Sequence, residues 1–265
     1  MDPDFIIIGV QKGGTTSLYN YLIKHPNIEP SLRKEVHFFD HNYIRGFNWY
    51  RSFFPTLFYK NYNKYIKKRN IITGEATPYY IMLPHAAKCI YKINPKVKII
   101  ILLRNPVDRA YSHYHHEVRA GIEDLTFKEA IEKEPERLKN EFKKMYNTPD
   151  YYSFNLQHSS YLERGKYINQ LKIWYKIFPE NQILILKSDD FYKEPEIITN
   201  EVFKFLGLPY QSSKTVNNKF IKYNVGEYQS MDNVIREYLF KYFEPYNSKL
   251  YEFLGKNLRW EEIPK

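Results

Sequence analysis

The sequence predicts an α/β fold: a single domain over residues 1–265 with a central, mostly parallel sheet flanked by helices. Three observations predict it. Short apolar runs at Phe5–Ile8, Ile71–Thr73, Val97–Leu103 and Gln182–Leu186 lack the polar alternation of a half-exposed strand, as strands covered on both faces do. Helix-period stretches stand between them, which is the alternation that builds parallel sheets. No repeat or linker divides the 265 residues, a length that can bury most of its apolar surface in one core.

Taken in order, Phe5-Ile-Ile-Ile8 stops at Gly9 and Thr15 to Lys24 reads as a helix, so the chain opens with strand, glycine loop and helix. Val97–Leu103 runs into Asn105-Pro106-Val-Asp108, which supplies an N-cap, a proline at the first helical position and an acid in the first turn. The helix it starts is predicted over Pro106–Arg119, ending near Gly121. Glu132 to Asn155 is polar and weakly periodic, a helical excursion or a mobile loop. Tyr161 to Phe178 carries Leu162, Ile168, Leu171, Tyr175 and Phe178 at helical spacing. After Gln182–Leu186, Ser188-Asp189-Asp190 leads to a helix over Pro195–Leu206 that Gly207 and Pro209 terminate. Met231, Val234, Tyr238, Leu239 and Tyr242 mark a last helix, and these aromatic stripes read as core. Ligands of such a sheet sit beyond the carboxyl ends of its strands.

Forty Lys and Arg against thirty Asp and Glu leave a net charge of +10, and 43% hydrophobic residues exclude disorder. The basic excess suits anionic partners, but it is spread along the chain. A basic nucleic-acid-binding domain is therefore an alternative whose affinity would fall steeply with salt, and nucleic acid is not the expected partner. No apolar run nears the ~20 residues of a membrane-spanning helix, and no leader pattern precedes Phe5. The expectation is a soluble, cytoplasmic chain with no membrane span. Cys89 stands alone, which excludes an internal disulfide and a cysteine zinc cluster, and no metal site is expected.

Glycine is scarce, at ten residues, yet Gly9, Gly13 and Gly14 fall within six positions. The stretch Gly9-Val-Gln-Lys12-Gly13-Gly14-Thr15-Thr16-Ser17 puts backbone amides and a helix N-terminus at the end of the first strand, a cradle for an oxyanion. It is not a nucleotide-triphosphatase loop. Thr15 stands where that loop has its lysine, and Val97–Leu103 ends in Arg104 where an acid would position Mg²⁺. A Mg-dependent phosphotransferase is accordingly the second alternative. Arg104 and Ser112, eight residues apart at a strand end and slightly over two helical turns on, form a separate candidate anion site. Two such sites imply a ligand with two separated phosphates.

Four ordered motifs carry a family resemblance: Ile6-Ile-Ile-Gly9-Val-Gln-Lys12-Gly-Gly-Thr-Thr16, Lys34-Glu-Val-His-Phe-Phe-Asp40, Gly74-Glu-Ala-Thr-Pro-Tyr79 and Leu103-Arg-Asn-Pro-Val-Asp-Arg-Ala-Tyr-Ser112. With Phe47-Asn-Trp-Tyr50 and Ile183 to Pro209, they make nearly the whole chain resemble the sulfotransferases that use 3′-phosphoadenosine 5′-phosphosulfate (PAPS), in the branch of the heparan sulfate N- and 3-O-sulfotransferases. The resemblance implies a P-loop-like phosphosulfate-binding loop, in which Lys12, Gly13, Gly14, Thr15, Thr16 and Ser17 hold the 5′ end of PAPS. It implies that Arg104 and Ser112 hold the 3′-phosphate, with Val216 to Gly226, through Lys219, Lys222 and Gly226, as the stand-in for a nucleotide loop.

Sulfuryl transfer deprotonates an acceptor hydroxyl or amine as it attacks, and stabilises charge on the leaving phosphate. Lys12 can supply the second function. Glu35 and His37 stand two residues apart, so an extended strand would project them to one side. The resemblance makes Glu35 the base, with Lys12 and His37 as further catalytic residues and His37 and Asp40 lining the acceptor site. The acceptor it implies is a glycan first, with a lipid or small metabolite as alternatives, and no metal is required. Ala76 stands where the 3-O enzymes have lysine, and Thr16 where they have arginine after Gly-Gly-Thr.

Overall fold

Phe5–Gly9 forms β1, every residue of it buried, as its unbroken apolar run requires. The computed structural model describes residues 1–147, 151–212, 226 and 228–261. They fall into two compact units, Met1–Leu103 with Trp174–Asn224 and Arg104–Ile173 with Val225–Lys265.

The first unit continues with α1 (Thr15–Leu22), β2 (Ile28–Pro30), α2 (Phe38–His41), α3 (Gly46–Arg51), α4 (Leu57–Tyr65), β3 (Ile72–Ala76), α5 (Pro84–Ile93) and β4 (Lys98–Leu103). The chain then passes through the second unit as α6 (Pro106–Arg119), α7 (Phe127–Arg137), α8 (Glu141–Asn147), α9 (Phe154–His158) and α10 (Tyr167–Tyr175). It returns as β5 (Ile183–Lys187), α11 (Ser188–Lys193) and α12 (Pro195–Leu206), and α13 (Asn233–Leu254) completes the second unit.

The five strands form one sheet in the order β2-β3-β1-β4-β5, and every pairing is parallel. β1 is therefore central, and its register against β4 shifts between Ile7 and Gly9, where the strand gives way to the glycine loop. The core of this unit joins Phe5, Ile7, Leu102 and Leu186 of the sheet to Leu18, Leu22, Val202 and Phe203 of helices. A second core, with Val107, Ala110, Ile131, Tyr161, Leu239 and Phe243, holds the other unit.

Two expectations from the sequence need correction, and a third leaves two alternatives open. Glu35 to His37 is no strand: the stretch is irregular, and His37 takes a left-handed φ of 54° at the N-cap of α2. Tyr161–Phe178 is not one helix. A short 3-10 turn over Glu163–Gly165 precedes α10, and a Cβ at Gly165 would lie 2.5 Å from the Phe243 ring, so packing fixes that glycine where helical spacing saw continuity. Among the described residues of Glu132–Asn155, which leave out 148–150, α7, α8 and the start of α9 follow the helical alternative. Thr126 caps α7 in a reciprocal capping box with Glu129, and Ser153 caps α9 through Leu156 N–H at 3.0 Å.

Candidate functional site

The glycine loop begins where β1 ends. Val10 N–H donates to Leu102 O of β4 at 3.1 Å, Gly13 N–H turns back to Val10 O at 2.9 Å, and the Ser188 hydroxyl donates to Gly13 O at 2.7 Å. These bonds fix the loop from β4 and from the start of α11. Gly14 is the N-cap of α1 at φ 100°, a conformation that costs glycine little, and a Cβ there would stand 2.6 Å from the Tyr192 hydroxyl. Having no side chain, it offers no capping acceptor to the first turn of α1. Lys12 is also left-handed, at φ 67°. Thr15 and Ser17 are buried, whereas Lys12, Gly14 and Thr16 are half-buried.

The Glu35 segment is built differently. Its backbone is tied down from β3 and the turn after it: Ala76 N–H donates to Lys34 O at 3.1 Å, Val36 N–H to Glu75 Oε2 at 3.3 Å and Phe38 N–H to the Tyr80 hydroxyl at 2.8 Å. His37 lies between two carboxylates, its Nε2 3.3 Å from Glu35 Oε2 and its Nδ1 2.6 Å from Asp40 Oδ2. Asp40 is buried, and its second oxygen accepts His41 N–H at 3.0 Å. The His41 ring stacks on His37, centroids 5.0 Å apart and 2° from parallel. Lys34 pairs with Glu35 from the other side.

Charge follows from that packing. Burial works against an ionised Glu35, but its hydrogen bond to His37 and the Lys34 ammonium prevail and bring the carboxyl down to about 2. Burial likewise disfavours an imidazolium at His37, and its bonds to Asp40 and Glu35 overcome it, raising that group to about 9. At neutral pH Glu35 is therefore a carboxylate and His37 an imidazolium. Among the described residues, His37, Asp40 and His41 also bring one potential metal-ligand atom each within 4.8 Å of one another. A cation there would first have to displace the proton that His37 holds against both carboxylates.

Behind this segment stands a residue that the motif reading passed over. Glu75 is fully buried on β3, and its carboxyl accepts from the Tyr50 hydroxyl at 2.7 Å, the Thr77 hydroxyl at 2.6 Å, Val36 N–H at 3.3 Å and the Tyr80 hydroxyl at 3.3 Å. Burial pushes it up to about 7 against the pull of those donors. The signal was available in Ile72-Thr-Gly-Glu-Ala76, where an acid interrupts a buried strand.

The structure thus joins Glu35, His37 and Asp40, and places Lys12 to Ser17 in the glycine loop and the first turn of α1 in the same unit. Arg104 and Ser112 belong to the second unit. Arg104 O accepts the Tyr167 hydroxyl at 2.8 Å, and Asn105 caps α6 through Val107 N–H at 3.0 Å. Ser112 is buried two turns along that helix. Gly226 lies against Arg119, whose guanidinium would be 2.6 Å from a Cβ there. Lys219 and Lys222 lie outside the described residues.

Comparison with known proteins gives these features a context. The family described as sulfotransferase domain matches residues 2–243. The membrane-associated sulfotransferase kil1 of Dictyostelium discoideum is 28% identical over 98% of this chain and 66% of its own length. Heparan sulfate glucosamine 3-O-sulfotransferase 5 of Mus musculus is 30% identical over 97% of this chain and 74% of its own. The chain thus spans about two thirds to three quarters of these relatives. A crystal structure of a sulfotransferase from Alicyclobacillus acidocaldarius superposes with a TM-score of 0.71 and 28% identity, covering 99% of this chain and 100% of that one. A match of this length takes in the glycine loop, the Glu35 segment and Arg104 together, so the chain belongs to the sulfotransferase family and is a PAPS-dependent sulfotransferase.

Proposed function

We propose that the chain transfers the sulfuryl group of PAPS to a hydroxyl or amine of a glycan, with Glu35 as general base and Lys12 at the leaving phosphate. The observation that carries this reading is the setting of His37. Both its nitrogens face carboxylates, at 3.3 and 2.6 Å, so it is protonated at neutral pH and has no lone pair to take a proton. Glu35 is ionised, and its side chain is 35% exposed, within reach of an acceptor. Its low basicity is no obstacle, because the acceptor's proton becomes strongly acidic as the acceptor atom bonds to sulfur.

The step balances. The acceptor lone pair attacks sulfur, the bond from sulfur to the 5′-phosphate oxygen breaks with its electrons staying on that oxygen, and the acceptor proton passes to Glu35. Lys12 and the residues from Gly13 to Ser17 surround the leaving phosphate, and the Lys12 ammonium meets the charge that grows on the leaving oxygen. Arg104 and Ser112 hold the 3′-phosphate in this reading, Lys219, Lys222 and Gly226 serve as the nucleotide loop, and His37 and Asp40 line the acceptor site. A glycan acceptor is supported by the name of the 3-O-sulfotransferase relative. Residues 1–265 act here as one sulfotransferase domain built from the two units, a reading supported by the span of the family match. No metal enters the step.

Incubation with sulfur-labelled PAPS and an acceptor panel, with and without EDTA, tests this directly. Labelled glycan and unlabelled lipid are expected, with EDTA making no difference. Transfer that EDTA abolishes would place a metal in the step and remove the present assignment.

A further inference from the structure

The surface helix α4 turns its apolar side outward. Asn63 is its only buried residue, while Phe58, Tyr62 and Tyr65, spaced i, i+4 and i+7 on one face, are 81%, 42% and 60% exposed. Leu57 and Ile66 extend that face at either end, at 65% and 68% exposure. The polar contacts of the helix point the other way. Lys60 pairs with Asp4 at 3.4 Å, the Tyr59 hydroxyl donates to Glu29 at 3.2 Å, and Arg69 pairs with Glu29. A helix that spends its polar contacts on the protein and its apolar ones on solvent is built for a partner.

The charge around it says which kind. From His41 to Gly74 there is no Asp or Glu, against seven Lys and Arg. Lys64, Lys67 and Lys68 are exposed and form no ion pair with a described carboxylate, and the first two lean over tyrosine rings, Lys64 at 5.2 Å from Tyr65 and Lys67 at 5.5 Å from Tyr62. The occupant must therefore be anionic and must also receive Leu57, Phe58 and Ile66. A polyanionic sugar meets the first demand, but the C–H faces of its rings suit only the aromatic side chains and leave the aliphatic Leu57 and Ile66 in water. A second copy of the chain would set Lys64, Lys67 and Lys68 against the same three lysines. An anionic bilayer surface meets both, with phosphates for the lysines and the acyl boundary for the apolar face.

We propose that α4 and residues 66–68 dock the protein on an anionic phospholipid surface. The proposal uses none of the residues assigned to sulfuryl transfer. Sedimentation of the full chain with phosphatidylcholine vesicles, with and without phosphatidylglycerol, tests it on wild type and two variants. One is Leu57→Ser with Phe58→Ser, and the other replaces Lys64, Lys67 and Lys68 by Gln. All five positions are exposed, so melting temperatures should stay near wild type, which serves as the control for folding.

Wild type is expected to sediment with the anionic vesicles only, less so as salt rises. Each lysine at an anionic surface contributes about fivefold, so the triple variant should lose roughly a hundredfold in partitioning. The serine variant should lose about tenfold or more, because its apolar anchor is gone. No sedimentation of wild type overturns the proposal. So does a serine variant that binds like wild type, since the +10 chain would then only adhere by charge. Capture by a sulfated polysaccharide, or self-association, through these residues without vesicle binding would overturn it too.

Discussion

Glu35 and Lys12 meet the reaction at opposite ends, and kinetics can separate them. Glu35→Gln keeps shape and hydrogen bonding but cannot take a proton, so single-turnover transfer should fall roughly 10²–10⁴-fold while the affinity for 3′-phosphoadenosine 5′-phosphate barely moves. Lys12→Ala should lower transfer and that affinity together, because its contact exists before and during bond breaking. Near wild-type transfer by Glu35→Gln would remove the base assignment. Arg104→Ala takes away a charge-assisted contact, so calorimetry should show the bisphosphate binding about ten- to a hundredfold more weakly with the melting temperature kept. Normal binding would leave Arg104 a purely structural role. At this scale the candidate residues were legible as types at fixed spacing, since an oxyanion needs amides and cations whatever holds them. Their local geometry was less so. Glu35 and His37 do meet, through a left-handed His37 at a helix N-cap, where alternation in a strand was the expectation. Nothing in the single positions announces that His37 reaches back to one carboxylate and forward to another.

Among elements, β3 is what keeps the Glu35 segment in place. Val36 N–H, the Thr77 hydroxyl and the Tyr50 and Tyr80 hydroxyls all end on Glu75, and Tyr80 also accepts from Phe38 N–H. Removing that carboxyl leaves several buried donors without an acceptor, at about 1–3 kcal/mol each before relaxation. Glu75→Ala is therefore expected to destabilise the protein by roughly 2–4 kcal/mol, read from denaturant midpoints. Glu75→Gln keeps an acceptor and should recover much of that loss. If the alanine variant melts like wild type, the segment is held by something else. The partners are 25 to 39 residues from Glu75 at Tyr50 and Val36, which is why a motif reading could quote Glu75 without seeing its use. The buried strands were readable because a parallel sheet demands unbroken apolar runs. β2 was not, being three residues long, and neither was α4, whose outward apolar face breaks the rule that periodicity relies on. Gly165 interrupts the Tyr161–Phe178 pattern through its contact with Phe243, a residue 78 positions on.

For the molecule as a whole, each unit pairs a carboxyl that stays charged with one that resists charging. Glu35 and Glu117 are brought down to about 2, while burial raises Glu75 and Glu134 to about 7. The two kinds act on stability with opposite sign. Glu35 and Glu117 stabilise the folded chain above their ordinary value of 4.5, and that contribution is lost as pH falls towards 2. Glu75 and Glu134 keep their protons when folded but lose them near 4.5 when unfolded, so their effect is a fall in stability as pH rises from 4.5 to 7. His37, raised from 6.5 to about 9, contributes fully below 6.5 and loses that contribution as pH climbs through 9. Burial lowers His113, which costs stability below 6.5 and runs against the buried acids, so the wild-type curve alone does not isolate them. The difference between wild type and Glu75→Gln does. A shift from 4.5 to about 7 corresponds to roughly 3 kcal/mol, so the stability of the variant relative to wild type should rise by about that much between pH 4.5 and 7 and stay level above. Denaturant titrations of both proteins across that window measure it. A relative stability that does not change with pH would mean that Glu75 ionises normally, and that its four donors outweigh its burial.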